Sequence, residues 1–290
     1  MDVRPLVLAL VAVTAGCGGL AGPDRETPTL TPAPVPEQGD GGGLVATGVA
    51  ADGSIDAGRL ARAHARAVEN ESYAFRSARG TTSTRANRTA PTSLQRTLSV
   101  EGPHSYHYWT DRRLARIDGR LRFLANYSEY ADDGVGYVRY TTGAESGVTY
   151  RPISGATPNR FVSLATEPIR RHLALEDADV TAIRRDGQRY YEVEKARDQL
   201  VTGEPVENYT VTALIRPDGF VRSLSVSYVD PEQQRRAFRR FEYADVGETT
   251  VERPEWVSDA RASIDSDGED GPNATLGDGV TDGSDRRFAG

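Results

Sequence analysis

Apolar positions in this chain change period three times, and each change marks an element boundary. Leu60, Ala63, His64, Ala67 and Val68 recur at helical spacing and form one apolar stripe, with Asp56 placed to cap its start. His64 on that stripe reads as a packed histidine. From Tyr73 onward the period drops to two. Tyr73 to Ser77, Thr97 to Val100, Ser105 to Trp109, Arg120 to Leu124, Val135 to Tyr140 and Gly147 to Tyr150 are short, aromatic or β-branched, and parted by Gly, Pro and Asp. Helical spacing returns at Phe161, Leu164, Ile169, Leu173 and Leu175, which predicts a second helix over Asn159 to Leu175 that Pro168 kinks or divides. Arg189 to Glu194, Tyr209 to Ile215 and Phe220 to Tyr228 then read as strand again.

The sharpest local signal is the turn Arg216-Pro217-Asp218-Gly219. Proline presets φ at the first turn position, and glycine takes the left-handed residue that rejoins the ladder. After it Leu224, Val226 and Tyr228 face one way while Ser223, Ser225 and Ser227 face the other, the alternation of an antiparallel sheet with one buried face. Tyr106 and Tyr108 alternate in the same manner.

Outside this region the pattern disappears. Residues 17–54 are rich in Gly, Pro, Thr and Asp and predict a flexible spacer; residues 258–290, with Asp265-Ser266-Asp267-Gly268-Glu269-Asp270-Gly271, predict a disordered acidic tail. The aspartate spacing in the tail lacks the twelfth-position glutamate of a calcium loop. One β-rich domain is therefore expected over residues 55–257, large enough to bury about 70 % of its unfolded surface.

Before the spacer, Arg4 and the apolar run Leu6 to Ala15 have the form of a signal peptide over residues 1–16, too short to span a bilayer. The run ends in Thr14-Ala15-Gly16-Cys17, which resembles the lipobox of secreted lipoproteins, with threonine where bacterial examples usually carry leucine. This resemblance implies cleavage before Cys17, a lipid on its thiol, and tethering at the extracellular face of the cytoplasmic membrane. Absence of a twin arginine points to general secretion. Cys17 is the single cysteine, so no intramolecular disulfide is available to the exported domain.

Composition changes the picture in two respects. Lys195 is the only lysine, so 34 of the 35 basic residues are arginine, against 42 acidic residues and a net charge of −7. That balance resembles secreted proteins of halophilic archaea, and it excludes the clustered cations that nucleic acid demands. The pairs Arg170-Arg171, Arg184-Arg185, Arg235-Arg236 and Arg239-Arg240 read as solvated faces of strands or helices.

Candidate chemistry is sparse. Among the four histidines, His104 and His107 lie on an expected strand where i and i+3 project to opposite faces, unsuited to joint metal ligation. No nucleophile elbow, phosphate-cradling loop or His-Glu-x-x-His helix occurs. The expectation is no enzyme, no cofactor and no metal. Of five glycosylation sequons, Asn87 in a polar loop and Asn273 in the tail are the most accessible candidates.

The leading amphipathic helix, the long meander, the internal helical insertion and the closing Phe241-Glu242-Tyr243-Ala244-Asp245-Val246-Gly247 with Thr250-Val251-Glu252-Arg253-Pro254-Glu255-Trp256 together resemble the LolA/LppX-like lipoprotein carriers, and still more the haloarchaeal lipoproteins that share this layout. The resemblance implies an α+β fold: a large, curved antiparallel sheet forming an unclosed barrel, with the N-terminal helix and the internal helical segment on its concave side. It further implies an apolar space that accepts a lipid or another apolar ligand, lined here by Tyr106, Tyr108, Phe123, Leu224 and Val226. An alternative expectation is a non-enzymatic envelope interaction or sensor module, with a fully packed sheet and an envelope protein as partner.

Overall fold

The structure is a computed structural model describing residues 43–84, 92–117, 120–142, 147–199 and 205–267, all within one compact unit of the chain. The signal peptide, Cys17, Asn87 and Asn273 lie outside the described residues. A small hairpin of β1 (Leu44–Ala46) and β2 (Val49–Ala50) precedes α1 (Ala57–Val68). Then follow β3 (Tyr73–Ser83), β4 (Thr92–Gly102), β5 (Ser105–Ile117), β6 (Arg120–Asp132), β7 (Val135–Thr141) and β8 (Thr149–Ser154). A 3₁₀ turn (Pro158–Phe161) and α2 (Ser163–His172) lead to β9 (Asp179–Arg185), β10 (Gln188–Gln199), β11 (Pro205–Ile215), β12 (Val221–Asp230) and β13 (Arg235–Ala244). The chain closes on α3 (Trp256–Asp267).

Strands β3 to β13 form one antiparallel sheet of 11 strands in the order β8-β7-β6-β5-β4-β3-β13-β12-β11-β10-β9. Two meanders meet back to back at β3 and β13, which pair from Ala74↔Ala244 to Ser83↔Arg235. The sheet is open, since among the described residues its edges β8 and β9 have no strand partner on their outer side. This is the expected α+β class, an unclosed antiparallel sheet with α1 and α2 on one face.

Because β8 and β9 are consecutive in sequence but lie at opposite edges, the segment between them must cross the whole sheet. It does so over one face. Phe161 stacks on Tyr108 of β5, and His172 reaches Tyr209 of β11. Those strands are five spacings apart, about 24 Å on a flat sheet. The helical path from Phe161 to His172 covers only about 17 Å. The side chains of Phe161 and His172 span the remainder, and the face carrying α1 and α2 is the concave face of the expected curved sheet.

α1 begins where expected: the Asp56 carboxylate accepts the Arg59 N–H at 2.8 Å, which satisfies one of the orphan donors of the first turn. Leu60, Ala61, Ala63, His64 and Val68 are buried against the sheet and α2. The second helix differs from expectation. It breaks at Val162, between the 3₁₀ turn and α2, and runs on through Pro168. Proline removes one helical bond, but Ala165, Ile169 and His172 are still buried along the same face, and this holds the helix together.

Strands are longer than their apolar cores, because ladder hydrogen bonds continue under polar side chains. For that reason β9 and β13, rich in Arg184, Arg185, Arg235, Arg236, Arg239 and Arg240, are full members of the sheet. Two boundaries of the sequence reading also move. Residues 44–54, assigned there to the spacer, contain β1 and β2, and they are tied in by Thr47 N–H to Pro217 C=O and Ala178 N–H to Gly53 C=O, both close to 3 Å. Residues 258–267, assigned to the tail, continue α3, whose Val257 and Ala260 are fully buried and whose Trp256 stacks on Tyr150 at 6.4 Å. Tyr150 and Tyr137 alternate away from the concave side, so α3 covers the outer face of β7 and β8.

The Arg216 to Gly219 turn forms as expected, closed by Gly219 N–H to Arg216 C=O and Arg216 N–H to Phe220 C=O, each at 2.9 Å. Gly219 has φ +89°, and a Cβ there would lie 2.6 Å from the Ala63 Cβ of α1. Gly187, in the β9–β10 turn, has φ +75° but open space around it. Gly219→Ala is expected to cost about 2 to 4 kcal/mol and Gly187→Ala about 1 kcal/mol in urea denaturation. Equal costs at the two sites would contradict the close seating of the hairpin tip on α1.

Candidate functional site

The concave face has two chemically different ends. Near its top, α1 packs over an aromatic cluster of Phe75, Phe220, Phe241 and Tyr243. His64 sits inside that cluster with no exposed surface. Its Nδ1 accepts the Val221 backbone N–H at 3.1 Å, so the proton rests on Nε2, which donates to the Tyr243 hydroxyl at 3.1 Å. Burial lowers its pKa to about 3, and the neutral ring is the form that fits both bonds.

Toward β5 and β6 lies a buried ionic knot. Glu129, with no exposed surface, accepts from the hydroxyls of Tyr106 and Tyr127, the latter at 2.7 Å. Arg160 of the 3₁₀ turn pairs with the same carboxylate and donates to the Tyr106 hydroxyl at 2.8 Å. Phe161, next in the chain, stacks on Tyr108 with ring centroids 4.4 Å apart and meets Tyr106 edge-on at 5.6 Å. A buried carboxylate is tolerated only when its oxygens are met by donors, and three donors converge here. The knot fastens the start of the crossover to the sheet.

Four of the five sequence-derived lining residues have described side chains. Tyr106, Tyr108, Leu224 and Val226 all point to the concave side, and all are buried among the protein's own side chains. Tyr106 and Tyr108 lie together under Phe161; Leu224 and Val226 lie on β12, opposite Phe241 and Arg239. Phe123 is in β6, and its side chain is outside the described set. His107 turns to the outer face, where its Nε2 lies 2.9 Å from the Ser128 hydroxyl, while His104 is exposed in a turn.

Open space is found at the other end of the crossover. A cleft of about 490 Å³ is lined by Ile55, Ala174, Leu175, Glu176, Asp177, Lys195 and Arg197. Ile55 and Leu175 form a buried apolar floor joined by the Ile55 N–H to Leu175 C=O bond at 2.9 Å. Lys195 donates to the Asp177 carbonyl at 2.8 Å. Arg197 lies over the Tyr209 ring at 4.4 Å, yet its buried Nε and Nη2 have no hydrogen-bond partner. Each such orphaned donor costs about 1 to 3 kcal/mol.

Cationic character extends inward from the cleft. Register aligns Lys195, Val211, Val226, Arg239 and Arg79 in one cross-strand row on the concave face. His172, whose Nδ1 lies 3.2 Å from the Tyr209 hydroxyl, has its pKa lowered to about 3 by burial and by the fields of Arg239, Arg171 and Arg197. Sequence reasoning missed Glu129, Arg160 and Arg197. Glu129 alternates with Tyr127 on an expected strand face, a signal that could have flagged it; Arg197 carried no comparable mark.

By architecture this is an α+β protein whose open sheet is spanned on the inside by a helical crossover. A family model matches residues 3–260, and the chain belongs to that family, the family of unknown function DUF7537. No curated protein matches the sequence. Among solved structures, the chain is similar to a LolA superfamily protein from Nitrosomonas europaea, at 10 % identity over 70 % of this chain and 97 % of that one, with TM-score 0.22. It is also similar to a DUF1329 family protein from Desulfovibrio piger, at 15 % identity over 71 % and 95 %, with TM-score 0.23. A third is an outer membrane lipoprotein-sorting protein domain from Vibrio parahaemolyticus, at 11 % identity over 72 % and 99 %, with TM-score 0.19. No helix among the described residues is long and apolar enough to cross a membrane.

Two outcomes follow from the buried groups. His64 and His172 are neutral in the fold, with pKa values near 3 against 6.5 when unfolded, so below pH 6.5 the unfolded chain binds more protons and stability falls. From pH 6.5 to pH 5 each is expected to remove about 1.4 kcal/mol per pH unit in the limit, read from urea midpoints; a flat profile would contradict neutral burial. Glu129→Ala strands Arg160 and two tyrosine hydroxyls and is expected to cost about 3 kcal/mol. A loss under about 1 kcal/mol would show that the knot is not holding the crossover.

Proposed function

We propose that this protein is a lipoprotein, anchored by lipid on Cys17 at the extracellular face of the cytoplasmic membrane, that binds a lipid or another apolar ligand on the concave side of its sheet. One observation supports the reading: an open cleft with Ile55 and Leu175 at its floor lies where the crossover ends, beside the face that carries α1 and α2. The cleft joins an apolar floor to the charged groups of Glu176, Asp177, Lys195 and Arg197, an arrangement that suits a small amphiphile. Ile55, Leu175 and Ala174 meet the ligand first. Tyr106, Tyr108, Leu224, Val226 and Phe123 are the further candidate contacts on the concave side. The signal peptide over residues 1–16 and the Pro/Gly/Thr spacer supply export and reach; Asn87 and Asn273 are sites for glycans.

A second reading is favoured by the packing of Tyr106, Tyr108, Leu224 and Val226. A concave face filled by its own side chains suits a non-enzymatic interaction or sensor module that meets an envelope protein. The two differ in what the purified protein contains. The full chain bearing Cys17→Ser, recovered from the medium of expressing cells in high salt, is extracted with organic solvent and analysed by mass spectrometry. Near-stoichiometric lipid is the expected result, and an extract free of lipid would assign the protein to the packed module. The same preparation tests the anchor: wild type is expected in the membrane fraction and Cys17→Ser in the medium.

A further inference from the structure

Arg197 is only partly satisfied by the fold: the Tyr209 ring lies under its guanidinium, but two of its nitrogens lack a hydrogen-bond partner. It is on β10 opposite Tyr209 and lines the cleft, and the two nitrogens, Nε and Nη2, are buried. Glu176 and Asp177 line the same cleft, but both are exposed at its lip, and neither pairs with Arg197. Lys195, two residues along the same strand face, adds a second positive charge, with one of its three donors used by the Asp177 carbonyl. Buried charges in proteins are compensated by an ion or a hydrogen-bonding partner. Here Nε and Nη2 are closed off from solvent beside the Tyr209 ring, so an anion entering the cleft meets them once the guanidinium turns toward it.

We propose that the cleft between β10 and the α2–β9 connection is an anion site, in which Arg197 and Lys195 hold the phosphate or carboxylate of a ligand. The planar guanidinium suits a two-oxygen acceptor, and Lys195 acts as a point charge beside it. Arg239 and Arg171 strengthen the positive field from inside, as their effect on His172 attests. Ile55 and Leu175, immediately below, provide apolar contact for a chain attached to that anion. The site thus selects an anionic amphiphile over an uncharged one. This inference rests on the lipid-binding reading for the ligand's apolar part, whereas the anion contact stands by itself.

Titration calorimetry on the secreted full-length Cys17→Ser chain tests it, with dodecyl phosphate below its micellar concentration, dodecanol and inorganic phosphate as probes. Dodecyl phosphate is expected to bind about tenfold or more tightly than dodecanol. Adding Arg197→Gln should remove that preference and leave dodecanol binding unchanged, while Arg184→Gln on exposed β9 should change neither. Near-UV circular dichroism checks that each variant is folded, and the preference of the chain with Arg197 intact is informative even where a variant is not. Equal binding of dodecyl phosphate and dodecanol would overturn the anion site and leave the lipid reading standing. Inorganic phosphate bound as tightly as dodecyl phosphate, and lost with Arg197→Gln, would support the anion site with a free anion as its occupant and overturn the lipid reading. Binding of none of the three would overturn both.

Discussion

The passage of one chain segment from one edge of an 11-strand sheet to the other governs this structure. Two meanders join at β3 and β13, so the strands that are neighbours in sequence at the midpoint, β8 and β9, end up farthest apart in space. The intervening residues must cross a face of the sheet, and a bare loop there would bury backbone groups without partners. A 3₁₀ turn followed by α2 satisfies most of those groups internally. The packing of α1 beside α2 and the location of open space both derive from that crossing.

Opposite chemistry secures the two ends of the crossover. At its start, Arg160 is fixed by Glu129 and two tyrosines, a buried pair whose desolvation is offset by converging hydrogen bonds. At its end, Leu173 and Leu175 are buried and the backbone is tied to Ile55, but two buried nitrogens of Arg197 have no hydrogen-bond partner. Lys195, Arg197, Arg239 and Arg171 gather there, with the exposed Glu176 and Asp177 at the cleft and Glu167 paired to Arg171. A chain with net charge −7 thus carries a local positive field on its inner face. Such a field does not add to stability, since like charges and orphaned donors both oppose folding.

Much of this was legible in the chain. Period-two alternation at Tyr106 and Tyr108 and at Leu224 and Val226 identified the concave face correctly, and Pro217-Asp218-Gly219 identified a hairpin. Asp56 marked the start of α1, and His64 was rightly read as packed. What was not legible shares a physical cause: it depends on partners distant in sequence. β9 and β13 look polar because arginines fill their exposed positions, while ladder bonds to β10, β12 and β3 hold the backbone. β1 and β2 look like spacer because their anchors are Pro217 and the crossover. α3 looks like an acidic tail, although Trp256, Val257 and Ala260 give it one buried side. Glu129 and Arg197 gain their meaning only when Arg160 and the cleft are placed beside them.

Hydrogen–deuterium exchange of the secreted Cys17→Ser chain, with and without dodecyl phosphate, locates binding directly. The account predicts added protection in peptides covering Leu173–Ala178 and Val193–Arg197, with α3 and the outer face of β7 and β8 unchanged. Protection confined to α3 and the outer face, with none along the crossover and β10, would contradict it.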